Sequence, residues 1–124
     1  MSEALKVGSR LVELCRQGKA AEAMQELYAD HIVSIEGVEN EHMPARIEGI
    51  EAVQKKGEWW EANNEVHSIE TVGPFVGLRD DQFAVEFHLD TTPKGGERSQ
   101  MREVALYTVE NGKVIQEEFL YLMA

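Results

Sequence analysis

The chain has 124 residues, of which 43% are hydrophobic and 28% charged, with a formal net charge of −11. That length and composition describe one globular domain that can build its own core, and they exclude a disordered chain. The acidic balance excludes a nucleic-acid surface or a patch for anionic membranes, both of which need clustered Lys and Arg.

The first residues, MSEALKVGSRLVELC, lack a basic leader followed by a long apolar run. No stretch reaches transmembrane length, so a cytoplasmic location is expected. The same residues predict a helix over 2–17. Ser2 suits its N-cap, Leu5, Gly8, Leu11, Val12 and Cys15 recur at helical spacing, and Gly18 suits its end. Cys15 is the single cysteine, which rules out an internal disulfide. Its place in an apolar pattern reads as a small buried hydrophobe.

A second helix is expected over 19–28, with Ala20, Ala23, Met24 and Leu27 on one side. Asp30 and His31 break it, and the β-branched run 32–36 predicts a strand. Residues 37–48, GVENEHMPARIE, read as a loop or irregular edge. Its acids, with Glu36, Glu39 and Glu41 beside His42, read as a solvated rim partly neutralised by Arg46. A third helix runs from Gly49 to about residue 64, with the stripe Ile50, Val53, Gly57 and Trp60. Trp60 continues that stripe into the core. Trp59 points about 100° away, toward a pocket mouth or an interface.

Beyond residue 64 the period changes to two. VHSIETVGPFVG, DQFAVEFHLDTT, SQMREVALYTV and GKVIQEEFLYLM are strand candidates, separated by turn signals at 77–81, 93–96 and 111–112. The last three form a meander. Helices first and strands after is the α+β signature, in one domain over 1–124. On 82–90, Phe83, Val85, Phe87 and Leu89 alternate with Glu86 and His88. The apolar set is expected inside, although a reversed face would bring Glu86 and His88 in. His31, His42, His67 and His88 show no metal-ligand spacing, so no metal site is expected.

The last hairpin, REVALYTVENGKVIQEEFLY, admits two registers. A two-residue turn at Asn111-Gly112 would pair Tyr107 with Gln116 and mix polar and apolar residues on both faces. A three-residue loop pairs Val109 with Lys113, Tyr107 with Ile115, Ala105 with Glu117 and Glu103 with Phe119. It gathers Met101, Ala105, Tyr107, Val109, Ile115, Phe119 and Tyr121 on one face, and is the more self-consistent choice. It also sets Glu103 and Glu117 on that face as diagonal neighbours, about 7 Å apart between Cα atoms. Two carboxylates in a dry pocket raise each other's pKa and suit general acid/base work. The competing reading is that they only hold hydroxyls such as Tyr107 or Tyr121, which need partners when buried. Tyr28, closing the second helix, would cap the core with its hydroxyl near the cavity. The opposite face carries Arg102, Val104, Leu106, Thr108, Gln116, Glu118 and Leu120. It is half apolar and suits a subunit interface.

The stretches LYADHIVSIEG, RIEGIEAVQKKGEWWEANNEVHS, GPFVGLRDDQFAVEF and EVALYTVENGKVIQEEFLY resemble the nuclear-transport-factor-2-like superfamily, in its SnoaL-like branch. The resemblance covers nearly the whole chain and carries no catalytic signature. It implies a cone in which three helices pack over a strongly curved antiparallel sheet around an apolar pocket. Tyr28, Glu36, Trp59, Trp60, Tyr107, Phe119 and Tyr121 would line that pocket. Members commonly dimerise through the outer sheet face. Steroid isomerases of this fold place an aspartic acid near the position of Glu103, and Glu36 is the nearest match to their early base. The tyrosine they need from the first helix has no counterpart here. The resemblance therefore implies a small hydrophobic or carbonyl-containing ligand. Glu103 and Glu117 would be the candidate catalytic residues of an isomerase, cyclase or lyase without a cofactor. The alternative is a non-catalytic binding or accessory dimer. Nothing resembles a serine-hydrolase elbow or a phosphate-cradling loop.

Overall fold

The computed structural model describes residues 2–39, 41 and 44–122. The expectation for His42 falls outside them. Helix α1 spans Glu3–Arg16, and the Ser2 hydroxyl accepts the N–H of Leu5 at its start. Its end is a Schellman turn: Gly18 takes φ +74, and the N–H groups of Gly18 and Lys19 return to the carbonyls of Cys15 and Leu14. Ala4, Val7, Leu11 and Val12 form the buried stripe that packs on the sheet.

Helix α2 (Ala20–Leu27) runs directly into strand β1 (Tyr28–Ile35). The strand therefore begins four residues before the sequence places it. Asp30 and His31 do not break the chain, because both point outward while Tyr28 and Ile32 are buried. Within the expected loop, Arg46–Glu48 forms a short strand β2 against β1. Gly49, at φ +97, turns the chain into helix α3 (Ile50–Asn63), whose Val53 is buried.

Strands β3 (Asn64–Phe75), β4 (Gln82–Pro93), β5 (Ser99–Glu110) and β6 (Lys113–Tyr121) form a continuous meander. The sheet order is β2-β1-β6-β5-β4-β3. Strand β1 runs parallel to β6, so the sheet is mixed, with one parallel pair in an otherwise antiparallel array. Register shifts interrupt the β1/β6, β3/β4 and β5/β6 pairings. Such irregularities bend and twist strands, and the result is a curved, unclosed sheet. Its concave face carries Phe83, Val85, Ala105, Tyr107, Val109 and Val114 into the core. Phe83 and Tyr107 stack with centroids 4.7 Å apart. Gly8 of α1 lies against this layer, where an added Cβ would stand 2.9 Å from the Phe83 ring and from Pro74.

The last hairpin departs from both expected registers. Asn111 and Gly112 take φ 52 and 75, the type I′ arrangement, and pair Glu110 with Lys113. A bulge then intervenes: Val109 pairs with Val114, but Thr108 pairs with Gln116. One extra residue on β6 restores the parity that the three-residue loop would have given. From Gln116 onward the faces therefore come out as that register groups them, with each pair displaced, while Val114 rather than Ile115 enters the core. Ala105 faces Phe119, Tyr107 faces Glu117 and Glu103 faces Tyr121. Glu103 and Glu117 are thus four positions apart along the ladder, about 13 Å of strand, and not diagonal neighbours.

On β4, Phe83 and Val85 are buried, which puts Glu86 and His88 on the outer face. There Glu86 accepts from Arg102 and lies 2.9 Å from His88 Nε2. No helix among the described residues is long and apolar enough to cross a membrane.

Candidate functional site

The helices do not fill the concave face. A cavity of about 430 Å³ remains between α3, the α1–α2 corner and the inner sheet. Leu11, Cys15, Met24 and Val53 border it from the helices, and Phe87, Leu89 and Met101 from the sheet. Tyr28, Glu36, Trp59, Trp60, Tyr107, Phe119 and Tyr121 all border it, as do Glu103 and Glu117. Trp59 stays half exposed at the mouth. Toward the strand ends the space adjoins a broader hollow of about 820 Å³, which shares Val38, Leu89, Met101 and Tyr121 with it.

Glu117 is 3% exposed. Its Oε2 lies 2.6 Å from Ser34 Oγ, and its Oε1 meets the Tyr28 hydroxyl in a short contact. Lys56 Nζ lies 2.8 Å from the same Ser34 Oγ. An ammonium can only donate, which leaves the Ser34 proton available to Glu117. Lys56 also pairs with Glu36, and Glu36 accepts from the Tyr121 hydroxyl. The result is one polar chain around the wall: Tyr28, Glu117, Ser34, Lys56, Glu36, Tyr121.

Burial pushes the Glu117 carboxyl up, while the hydrogen bonds from Ser34 and Tyr28 and the charge of Lys56 oppose it. Burial likewise raises the Tyr28 and Tyr107 hydroxyls, with the Glu117 charge adding to it. It also lifts the Cys15 thiol to about 11, far from a reactive thiolate.

Glu103 differs. Its carboxyl borders the cavity but makes no hydrogen bond or ion pair among the described residues. Burial first, then the negative charges of Glu36 and Glu117, raise it to about 7, with Lys56 pulling the other way. Phe87 and Tyr121 are its direct cross-strand neighbours, on either side.

The buried hydroxyls therefore find partners other than the expected ones. Tyr121 goes to Glu36, and Glu117 takes Tyr28 and Ser34. Glu36 is no part of a solvated rim, since Lys56 and Tyr121 hold it at the wall. Glu39 accepts from the N–H of Ala45, and Arg46 pairs with Glu48. Sequence reasoning missed Lys56 and Ser34. Both were within reach of spacing: Lys56 is three residues beyond Val53 on α3, and Ser34 is two beyond Ile32 on β1. Among the described residues no group of three or more His, Cys, Asp and Glu is placed to hold a metal ion.

A family model for the SnoaL-like domain matches residues 2–121. A candidate SnoaL-like polyketide cyclase from Mesorhizobium loti is 44% identical, with 94% of this chain and 97% of that one covered at a TM-score of 0.87. The Mycobacterium tuberculosis protein RV0760c, in complex with estradiol-17beta-hemisuccinate, is 25% identical over 99% of this chain and 96% of that one, at a TM-score of 0.72. The Δ5-3-ketosteroid isomerase of a Mycobacterium species is 20% identical over 99% and 95%, at 0.69, which is a likeness of fold. A comparison with functionally curated proteins finds no match.

Proposed function

The chain belongs to the SnoaL-like domain family, and from that premise we propose that it binds a small, largely apolar molecule in the cavity and moves a proton on it with Glu103. The ligand wall is formed by Tyr28, Glu36, Trp59, Trp60, Tyr107, Phe119 and Tyr121. The observation that carries the reading is the Glu103 carboxyl, raised to about 7 and without a partner among the described residues. Near neutrality it exists in both protonation states, as a general acid/base requires. In a carbonyl-containing ligand its carboxylate would take a proton from the carbon beside the carbonyl. Glu117 and Tyr28, at the deep end, spend their hydrogen bonds on each other and on Ser34, and so shape the wall rather than meet the developing oxygen. This is isomerase, cyclase or lyase chemistry that calls on no cofactor. The steroid derivative held by RV0760c supports a ligand built of rings.

The second reading is a non-catalytic binding or accessory module. It is favoured by Glu117, whose two oxygens are both engaged by Tyr28 and Ser34. In either case the outer sheet face supports pairing of two copies, because Phe75, Val104 and Leu120 are 52%, 37% and 47% exposed there.

Hydrogen exchange of a bicyclic ketone in heavy water, followed by proton NMR, separates the readings. The wild-type chain should speed loss of the protons beside the carbonyl, and Glu103→Gln should abolish that while still binding the ketone. A ketone that binds to both proteins with no catalysed exchange leaves the binding module.

A further inference from the structure

The cavity carries an unbalanced charge. Among the described residues, Glu36, Glu61, Glu103 and Glu117 border it against one cation, Lys56. Lys56 is engaged by Glu36, and Glu117 by Tyr28 and Ser34. Glu103 is left facing the space without a counter-ion among the described residues. Removing a carboxylate from water without a counter-charge is costly, and a ligand that brought one would relieve that cost.

The surroundings of Glu103 specify what kind of charge fits. Phe87 on β4 and Tyr121 on β6 stand directly beside it in the sheet, and all three border the same space. A carboxylate between two aromatic rings combines ion pairing with the negative ring faces that attract ammonium groups. The chain fills a seat of this composition with its own side chain. The Lys56 ammonium rests against Glu36 and lies 5.0 Å from the centroid of the Phe119 ring. Next to it, the Glu103 seat has the same ingredients and no cation of its own.

We propose that the cavity takes a molecule with an apolar body and one protonated amine, the ammonium seated on Glu103 between the rings of Phe87 and Tyr121. The body would lie against Leu11, Met24 and Trp60, in a volume that admits a few fused rings. An anionic ligand meets the surplus of carboxylates and is disfavoured, and the net charge of −11 adds a general attraction for cations. The inference rests on the binding half of the function proposed above and is independent of proton transfer.

Calorimetric titration of the full chain with naphthylethylamine, neutral naphthylethanol and anionic naphthylacetate tests it. The titrations are made at about pH 8, where Glu103 is ionised and the amine still protonated. The amine should bind roughly tenfold more tightly than the alcohol, and the acetate most weakly. Glu103→Gln should bring the amine down to the level of the alcohol, with retained alcohol binding showing that the variant is folded. Phe87→Leu keeps the charge, removes one ring and should narrow the preference. An amine no tighter than the alcohol, or a preference that survives Glu103→Gln, overturns the amine seat and leaves apolar binding intact. If none of the three binds, the seat and the apolar-binding reading fall together.

Discussion

Ser34 and Glu117 are Cα partners in the parallel β1–β6 ladder, and their side chains meet with Oγ 2.6 Å from Oε2. Lys56 donates to the same hydroxyl from the other side, which leaves the Ser34 proton for Glu117. Ser34→Ala strands a buried carboxylate oxygen and one Lys56 donor at once. A loss of about 1–3 kcal/mol in denaturant unfolding is expected, the cost of leaving buried polar groups unsatisfied. A loss below a few tenths would mean that the contact contributes shape alone.

Glu103 sets a pH dependence. Its carboxyl rises from 4.5 in the unfolded chain to about 7 in the fold, so the folded state holds this proton more tightly. The associated stability is fully present below about pH 4.5 and is lost as pH rises through about 7. The span is worth about 3 kcal/mol. Glu103→Gln should therefore be more stable than wild type at about pH 8 by up to that amount, with the difference vanishing near pH 4. Urea unfolding of both proteins across this range checks the sign. A variant less stable than wild type at high pH contradicts it.

Lys56 opposes the upward shift of Glu103 and of Glu117. In Lys56→Met the Glu103 carboxyl should titrate above 7, a displacement readable from its carboxyl carbon by NMR. Glu36 is then left without its counter-ion in a mostly buried place. Destabilisation of about 3 kcal/mol is expected, and Glu36→Gln in the same chain should recover part of it. Equal losses in the single and double variants would show that the pair is not coupled.

Gly8 resolves a conflict between local and tertiary preference. Alanine would favour the helix by about 1 kcal/mol. Its methyl would stand 2.9 Å from both Phe83 and Pro74, and overpacking of this kind costs about 1–3 kcal/mol. Packing wins, so Gly8→Ala should lower the melting temperature by several degrees. A rise would show that the α1–β4 contact yields easily.

The exposed apolar outer face predicts an assembly of two chains. Sedimentation equilibrium should return twice the chain mass for wild type. Val104→Glu with Leu120→Lys should return the single mass with an unchanged circular dichroism spectrum. A wild-type protein that sediments as a single chain removes the outer face as an interface.

The sorting of β5 and β6 into a wet and a dry face was readable because parity survives any shift by two. The actual pairing was not, since the bulge falls within Val-Ile-Gln, where no glycine or proline marks it. The start of β1 was hidden behind Asp30 and His31, which look like breakers but sit on the outward side of an irregular strand. Helical periodicity pointed Trp60 and Val53 inward. It left Lys56 outside, because a lysine reads as solvent-facing until an acid is found to hold it. The acid in question, Glu36, lies 20 residues earlier, on a separate segment. Side-chain spacing within one element therefore located the walls, whereas the cation belonged to a contact between elements.

The parallel alignment of β1 with β6 also decides when the molecule can be finished. Tyr28 and Ser34 leave the ribosome 89 and 83 residues before the carboxylate that engages them, that of Glu117. Helices and hairpins can form from local contacts as they emerge, but this pairing must wait for β6 and closes a long stretch of chain at once. Until then β1 has β2 on one side and an open edge on the other, a template for association with other chains. Strand β6, which follows the other five in the chain, is thus the one that seals the sheet.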